Sequence, residues 1–306
     1  FAGRFLAAGI PVLAITGTNG KSTVTSFCAQ LLQAAGWKVF CGGNLGVPLS
    51  KAVGGDWDVV IVEVSSYQME LPSGFTPDVA VVLNLSPDHL ARHGDMANYA
   101  AHKIRLLEQV RDSGAAVLPS LNKDLDAAIH DLSCTRMHRL DSGASVRLEG
   151  TGAEILGEYL DLTGLQVPGG LNRWNAAVAC FLVRLIGLPM KELKPEVLRA
   201  LEHRMQPVEV EHSIRWINDS KATNVDATLA GVSGLEGRVW LLLGGQGKEG
   251  ANYSALRSLR ESPVERFVVF GEAADDIAGA LSGLPVSQLG SLAAAVDWVF
   301  SQAEEG

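Results

Sequence analysis

The stretch AITGTNGKST, residues 14–23, overlaps an apolar run, PVLAIT (11–16), and leads into a helical pattern over 22–35. Strand, glycine turn and helix in that order suit phosphate binding. Glycines let backbone N–H groups approach phosphate oxygens, and the helix N-terminus adds a favourable dipole. The spacing departs from the usual G-x-x-x-x-G-K-[ST] pattern, because only Thr18 and Asn19 separate Gly17 from Gly20. The residue types still fit the task. Lys21 offers a cation to the β and γ phosphates, and Ser22 is placed to ligate Mg²⁺. A simple helix-capping turn built on Ser22 or Thr23 is the competing reading.

The surrounding chain repeats the alternation. WKVFCGG (37–43), DVVIVEV (58–64), DVAVVLN (78–84) and AAVLP (115–119) are apolar runs of strand length, with a helix pattern over 96–111. Near-continuous Val/Ile/Leu runs fit parallel strands covered on both faces. This predicts an α/β fold with a phosphate-loop, mostly parallel central sheet. RMHRL, ASVRLE and GEYLDL within 135–170 alternate between glycines and predict a small antiparallel subsheet. Helices are predicted near 173–186 and 190–202. A second, Rossmann-like α/β series follows, with SIRWIND (213–219), RVWLLLGG (238–245), ERFVVFG (265–271) and PVSQL (285–289) as strands. The expected domains are 1–204 and 205–306, the second incomplete, since the chain starts and stops abruptly as if cut at both ends.

Composition narrows the partners. The 306 residues are 47% hydrophobic and 19% charged, with a formal net charge of -9 and no Lys/Arg cluster. That argues against nucleic acid or an anionic membrane as the main partner, so a phosphate site must be local. The most apolar helical stretch, residues 176–188, is broken by Arg184 and too short to span a bilayer, which argues against membrane insertion. Four scattered cysteines (Cys28, Cys41, Cys134, Cys180), without a C-x-x-C pair or a signal peptide pattern, predict reduced thiols and a cytoplasmic protein. In an open parallel sheet, ligands bind at the carboxyl ends of the strands. Gly17–Thr23, Glu63 (end of one strand) and His89 (past the next) should converge there, and a Glu with a His can hold a metal or its waters. Alone, each is more often an ordinary satisfied polar residue.

TGTNGKST, GGNLG (42–46), EVSSYQ (63–68), DHL (88–90) and YAAHK (99–103) together resemble the Mur ligase family of peptidoglycan synthesis. Folylpolyglutamate synthetases share the GTNGK loop. WINDSKATN (216–224), GGQGK (244–248) and HRM (203–205) resemble the D-glutamate-adding branch. The resemblance implies an ATP-dependent, ADP-forming amide ligase, monomeric, acting on UDP-N-acetylmuramoyl-L-alanine and D-glutamate through an acyl phosphate. It implies ATP and a pair of Mg²⁺ ions as cofactors. Lys21, Glu63, His89 and Lys103 would carry the chemistry. Gly17, Thr18, Asn19, Gly20, Lys21, Ser22 and Thr23 would hold the phosphates, with Asn172, Asn175, Arg204 and Asp219 at the adenine and ribose. Ser22, Glu63, His89 and a carbamylated Lys103 would serve the metal. Asn44, Ser65, Gln68 and Arg92 would face the acceptor, and Lys221, Thr223 and Lys248 the D-glutamate. Without the resemblance, Lys103 in HKIRLLE reads as a solvated helix lysine, and Lys221 and Lys248 as loop cations. Leu171, Ala91 and Gln246 depart from the family's usual His, Asp and Asp. The family also carries an N-terminal UDP-binding domain that this chain does not show. The alternatives are a folylpolyglutamate synthetase, another Mur ligase, or a non-catalytic ATP-binding fragment. A switch GTPase lacks its N-K-x-D segment.

Overall fold

The structure is a computed structural model that describes residues 9–70, 74–88, 90–120, 122–129, 136–140, 145–167, 169–210, 214–233, 235–247 and 250–304. It divides into two compact units, residues 1–167 with 172–201, and residues 168–171 with 202–306.

In the first unit, β1 (Val12–Thr16) leads to α1 (Lys21–Ala34) and β2 (Val39–Gly43), then β3 (Val59–Glu63) and β4 (Val79–Val82). After these come α2 (Leu90–His93), α3 (Met96–Glu108), β5 (Ala115–Pro119), α4 (Lys123–Ala128) and β6 (Arg136–Leu140). The six strands form one parallel sheet in the order β2-β3-β1-β4-β5-β6. Every residue of β1, β3 and β4 is buried, as their unbroken apolar runs require. Alternate side chains serve two cores. Leu13, Ile15, Ile61 and Val81 pack with Val24, Phe27 and Leu31 of α1. Val12, Ala14, Val60, Val62 and Val82 pack with Tyr99, Ile104 and Leu107 of α3. The chain leaves β1 to one side through α1 and crosses back between β3 and β4. β1 is therefore the central strand where the order reverses, the place at which open α/β sheets bind ligands.

A second sheet, β7 (Val146–Glu149), β8 (Gly152–Ile155) and β9 (Glu158–Asp161), is antiparallel. α5 (Gly170–Ile186) buries Ala176–Val183 in the first core. RMHRL does not belong to this antiparallel sheet. As β6 it pairs parallel with β5 and extends the main sheet, because alternation identifies a strand but not its neighbour. No helix forms over 190–202 either, only two 3₁₀ turns, Met190–Glu192 and Pro195–Val197. Pro195 disfavours helical backbone at Lys194, which sits at φ -128°, ψ 77°.

The second unit holds β10 (Gln206–Val208) and β11 (Trp216–Asn218), α6 (Val225–Val232), β12 (Val239–Gly244), β13 (Val264–Phe270), α7 (Ala274–Ala280), β14 (Val286–Leu289) and α8 (Leu292–Glu304). β12, β13 and β14 form a parallel sheet. Val232 of α6 and Ile277 of α7 pack with one face, and Ala295 and Val299 of α8 with the other. The SIRWIND segment is shorter than expected and lies outside that sheet. It pairs antiparallel with β10. Among the described residues no helix is long and apolar enough to cross a membrane. Cys28, Cys41 and Cys180 are free thiols. Cys134 lies outside the described residues.

Candidate active site

The loop between β1 and α1 is shaped by its glycines. Gly17 (φ 152°) and Gly20 (φ 81°) adopt backbone that side-chain-bearing residues rarely take. A Cβ on Gly17 would sit 3.0 Å from Leu83 Cβ, and one on Gly20 would sit 3.1 Å from Asn175 Oδ1. Gly20 is the N-cap of α1 and, as a glycine, has no side chain with which to cap it. By contrast α3, α4 and α6 are capped by Asp95, Asn122 and Asn224. Ser22 and Thr23 therefore lie inside the first turn of α1 rather than at its N-cap position, and a helix terminus of this kind has anion-binding character.

A residue that the sequence did not single out braces this loop. Asn84, just past β4, accepts from the Thr18 and Asn19 backbone N–H groups at 3.1 and 2.8 Å. It also donates to the Asn19 carbonyl at 3.0 Å. Thr18 Oγ1 donates to the Ser86 carbonyl, accepts from the Ser86 N–H, and lies 3.2 Å from the Tyr99 hydroxyl. The signal for Asn84 was present: it is the polar residue closing an apolar strand in VVLNLSPDH, at the sheet edge where β1 also ends. Tyr99 stood in YAAHK (99–103) with no role attached to it.

Two lysines meet at the loop. Lys21 Nζ donates to the Gly17 and Thr18 carbonyls at 3.0 and 2.7 Å. Lys103 Nζ, from α3, donates to the same Gly17 carbonyl at 2.7 Å and stands 4.4 Å from the centre of the Tyr99 ring. Lys103 is only 1% exposed, so it is not a solvated helix lysine. Burial, reinforced by the neighbouring Lys21 charge, holds its pKa well below the usual lysine value, with Asp88 opposing. Tyr99 is pushed up to about 12, chiefly by burial.

At the end of β3, Glu63 is 2% exposed. Its Oε1 accepts from Asn44 Nδ2 at 2.7 Å, while its backbone carbonyl accepts from the Asn44 N–H. Its Oε2 is buried and has no hydrogen-bond partner among the described residues. An orphaned buried carboxylate oxygen beside a phosphate loop is the donor a Mg²⁺ ion requires. Among the described residues no group of three or more His, Cys, Asp or Glu side chains is arranged to hold a metal ion. His89, which the sequence places beside this site, lies outside them.

The turn after β3 carries Ser65 and Gln68. Gln68 Oε1 accepts from the Ser65 N–H and hydroxyl at 2.9 and 3.1 Å. Arg92 is committed to Glu70 by two bonds of 3.1 and 2.7 Å, which lowers the Glu70 pKa. Asn172 and Asn175 are both 5% exposed on α5, and Asn175 closes on Gly20.

In the second unit, Asp219 Oδ1 accepts from the Met205 N–H at 3.0 Å. Burial raises its pKa. Gly231 admits this carboxylate: a Cβ there would lie 2.7 Å from Asp219 Oδ2. Arg204 sits between His203 (φ 64°) and Met205 (φ 46°), both held in left-handed backbone. The Lys221 N–H bonds the His203 carbonyl at 3.1 Å, and the Thr223 N–H bonds the Lys221 carbonyl at 3.0 Å. Lys248 lies outside the described residues.

Residues 15–181 match the Mur ligase middle domain, and residues 203–306 match the Mur ligase, glutamate ligase domain. The UDP-N-acetylmuramoylalanine–D-glutamate ligase of Myxococcus xanthus is 36% identical over 322 residues, covering 100% of this chain and 70% of that protein. Its counterpart in Desulfotalea psychrophila is 38% identical over 310 residues, covering 97% and 67%. Among solved structures, MurF from Acinetobacter baumannii aligns with TM-score 0.77 at 18% identity, covering 97% of this chain and 71% of that one. The bifunctional folylpolyglutamate synthase/dihydrofolate synthase from Yersinia pestis, complexed with AMPPNP and Mn ion, aligns at 0.69 and 20%, covering 98% and 85%. These two neighbours share the fold. With both domain types matched in order and the shortened phosphate loop in place at the central strand, the chain belongs to the Mur ligase family.

Proposed function

We propose that this chain carries the catalytic machinery of an ATP-dependent ligase of peptidoglycan synthesis that adds D-glutamate to UDP-N-acetylmuramoyl-L-alanine. The observation that supports the chemistry is the convergence of Lys21 and the buried Lys103 on the Gly17 carbonyl, beside an α1 terminus whose N-cap is Gly20. The substrate pair is inferred from the relatives' names and from NDSKATN. The two-domain division at Arg204–Met205 is part of the same proposal.

A carboxylate is a poor electrophile, so the reaction starts by improving its leaving group. The γ-phosphoryl group passes from ATP to the L-alanine carboxylate, and ADP leaves. The D-glutamate amine then attacks the acyl carbon. The C–N bond forms, inorganic phosphate departs, and the amine loses a proton. Lys21 and the loop amides hold and neutralise the phosphates through both steps. Asn44, Ser65 and Gln68 orient the acceptor, with Arg92 holding their turn through Glu70. Asn172, Asn175, Arg204 and Asp219 serve the adenine and ribose of ATP, and Lys221, Thr223 and Lys248 bind D-glutamate. Glu63, with Ser22 and His89, is the set that would hold Mg²⁺, which supplies charge neutralisation at the phosphate oxygens when bound.

Lys103 fits a further role. A lowered pKa favours the neutral, nucleophilic amine. Attack on CO₂ forms an N–C bond and releases a proton. The resulting carbamate replaces a cation with an anion beside the metal, where an ammonium would repel it.

The test is an amino-acid screen scored by phosphate release, with ATP, Mg²⁺ and UDP-N-acetylmuramoyl-L-alanine present. D-glutamate alone should stimulate release. Stimulation by L-glutamate with a folate, or by another amino acid, would transfer the chain to a different member. ATP binding without turnover on any pair would make it a non-catalytic fragment.

A further inference from the structure

His93, which ends α2, is a buried imidazole to which the reaction above assigns no task. Its Nε2 lies 3.0 Å from Ser66 Oγ and its Nδ1 lies 4.0 Å from Glu70 Oε1, so both ring nitrogens face the 65–70 turn. Its ring stacks on Tyr67 of that turn, with centroids 5.6 Å apart and planes 25° apart. It also packs against Tyr99 and His102 of α3, at 5.2 and 5.1 Å. Tyr99 in turn touches Thr18 of the phosphate loop and the Lys103 amine. The imidazole therefore joins the turn bearing Ser65 and Gln68 to the helix bearing Lys103.

Two further ties hold the same turn. Arg92 binds Glu70, and Arg105 donates to the Met69 carbonyl at 3.2 Å. The Arg92 side chain is 61% exposed, so solvent weakens that tie. The His93 bond is dry, where hydrogen bonds are stronger and unpaired polar groups costly. An apolar ring could fill the same space without that risk. Among what the imidazole adds is a directional bond to Ser66.

We propose that His93 is a positioning residue that sets the Ser65–Gln68 turn against α3, and so places the acceptor carboxylate at the phosphate loop. This rests on the reading of that loop as the ATP site and that turn as the acceptor site. His93 acts through Ser66 and Tyr99. The phosphate loop has its own brace in Asn84, so loss of His93 separates acceptor binding from ATP binding.

His93→Phe keeps the ring stack and removes both nitrogens. In steady-state assays of the 306-residue chain, the KM for UDP-N-acetylmuramoyl-L-alanine should rise about 10-fold, the size of one dry hydrogen bond, while the KM for ATP stays within about twofold. Ser66→Ala should raise the same acceptor KM, and the double variant should be no worse than His93→Phe alone, since both substitutions remove the His93–Ser66 bond. His93→Gln, which can still bond Ser66, should recover most of the loss. Should His93→Phe fold poorly, Ser66→Ala and His93→Gln carry the test. Equal rises in both KM values, or additive effects of the two substitutions, would reduce His93 to general packing and overturn the proposal. An unchanged acceptor KM in an active His93→Phe chain would overturn it while leaving the ligase reading intact. A wild-type chain that neither turns over nor binds the acceptor in calorimetry would overturn the ligase reading and, with it, this one.

Discussion

Lys103 shows how one side chain carries both cost and function. Its amine is buried against another lysine, so the folded chain holds its proton more weakly than the unfolded chain does. Between the depressed folded value and 10.5, the unfolded state binds more protons, and stability rises with pH across that window. Lys103→Met should therefore stabilise the uncarbamylated chain near neutral pH by about 1–3 kcal/mol. The gain should shrink toward zero as the pH passes 10.5, read from denaturant midpoints at several pH values. The same variant should lose turnover by about 10³-fold or more, as expected when a site loses a central electrostatic group. Glu63→Gln makes a different separation. The amide carbonyl can still accept from Asn44, so stability should change by less than about 1 kcal/mol. The divalent-cation dependence of AMPPNP binding, followed by calorimetry, should be lost; retention of that dependence would remove Glu63 from the metal site. Lys103 read from its neighbours as a solvated helix lysine, although a signal of its burial was present. It falls four residues after Tyr99 and four before Leu107, on the apolar stripe of α3. What could not be read was that the Gly17 carbonyl waits at the end of that stripe.

The phosphate loop is the element on which the reading turns. Its strand–turn–helix order was visible, and Gly17 and Gly20 adopt the backbone that glycine permits. Its brace was not visible, because Asn84 lies 65 residues from Asn19 and reaches it only through the β1–β4 pairing. Asn84→Ala should leave two loop N–H groups without their side-chain acceptor. It should destabilise the chain by about 1–3 kcal/mol and weaken AMPPNP binding about 10-fold, whereas acceptor binding should change little. Gly20→Ala should cost about 1–2 kcal/mol in left-handed backbone, with a Cβ pressed on Asn175 besides. Thermal melting with and without nucleotide checks both. RMHRL and SIRWIND carry the complementary lesson. Both were recognisable as strand-forming, yet RMHRL joined the parallel sheet and SIRWIND left one.

For the whole molecule, a net charge of -9 means that nucleotide phosphates must be held by local geometry rather than by the overall field. Binding should then act as a mass-action stabiliser of the folded chain. With Mg²⁺ and AMPPNP at about 100 times the dissociation constant, unfolding should become harder by about 2.7 kcal/mol. EDTA should remove most of that gain if Glu63 and its neighbours hold the cation. No shift with nucleotide would show that this chain, which spans 67–70% of the length of its relatives in Myxococcus and Desulfotalea, does not bind ATP by itself.

The amino-acid sequence by itself determined the parallel α/β architecture, the phosphate loop and the family. These depend on local patterns: apolar runs, glycine at positive φ, and short motifs whose letters carry their own geometry. The tertiary structure alone decided which strands became neighbours, that Lys103 and Lys21 share one carbonyl, that one Glu63 oxygen is left without a partner among the described residues, and that His93 links turn to helix. Those facts arise from contacts between residues tens of positions apart. Hydrophobic periodicity specifies which face of an element is buried, but not what that face meets.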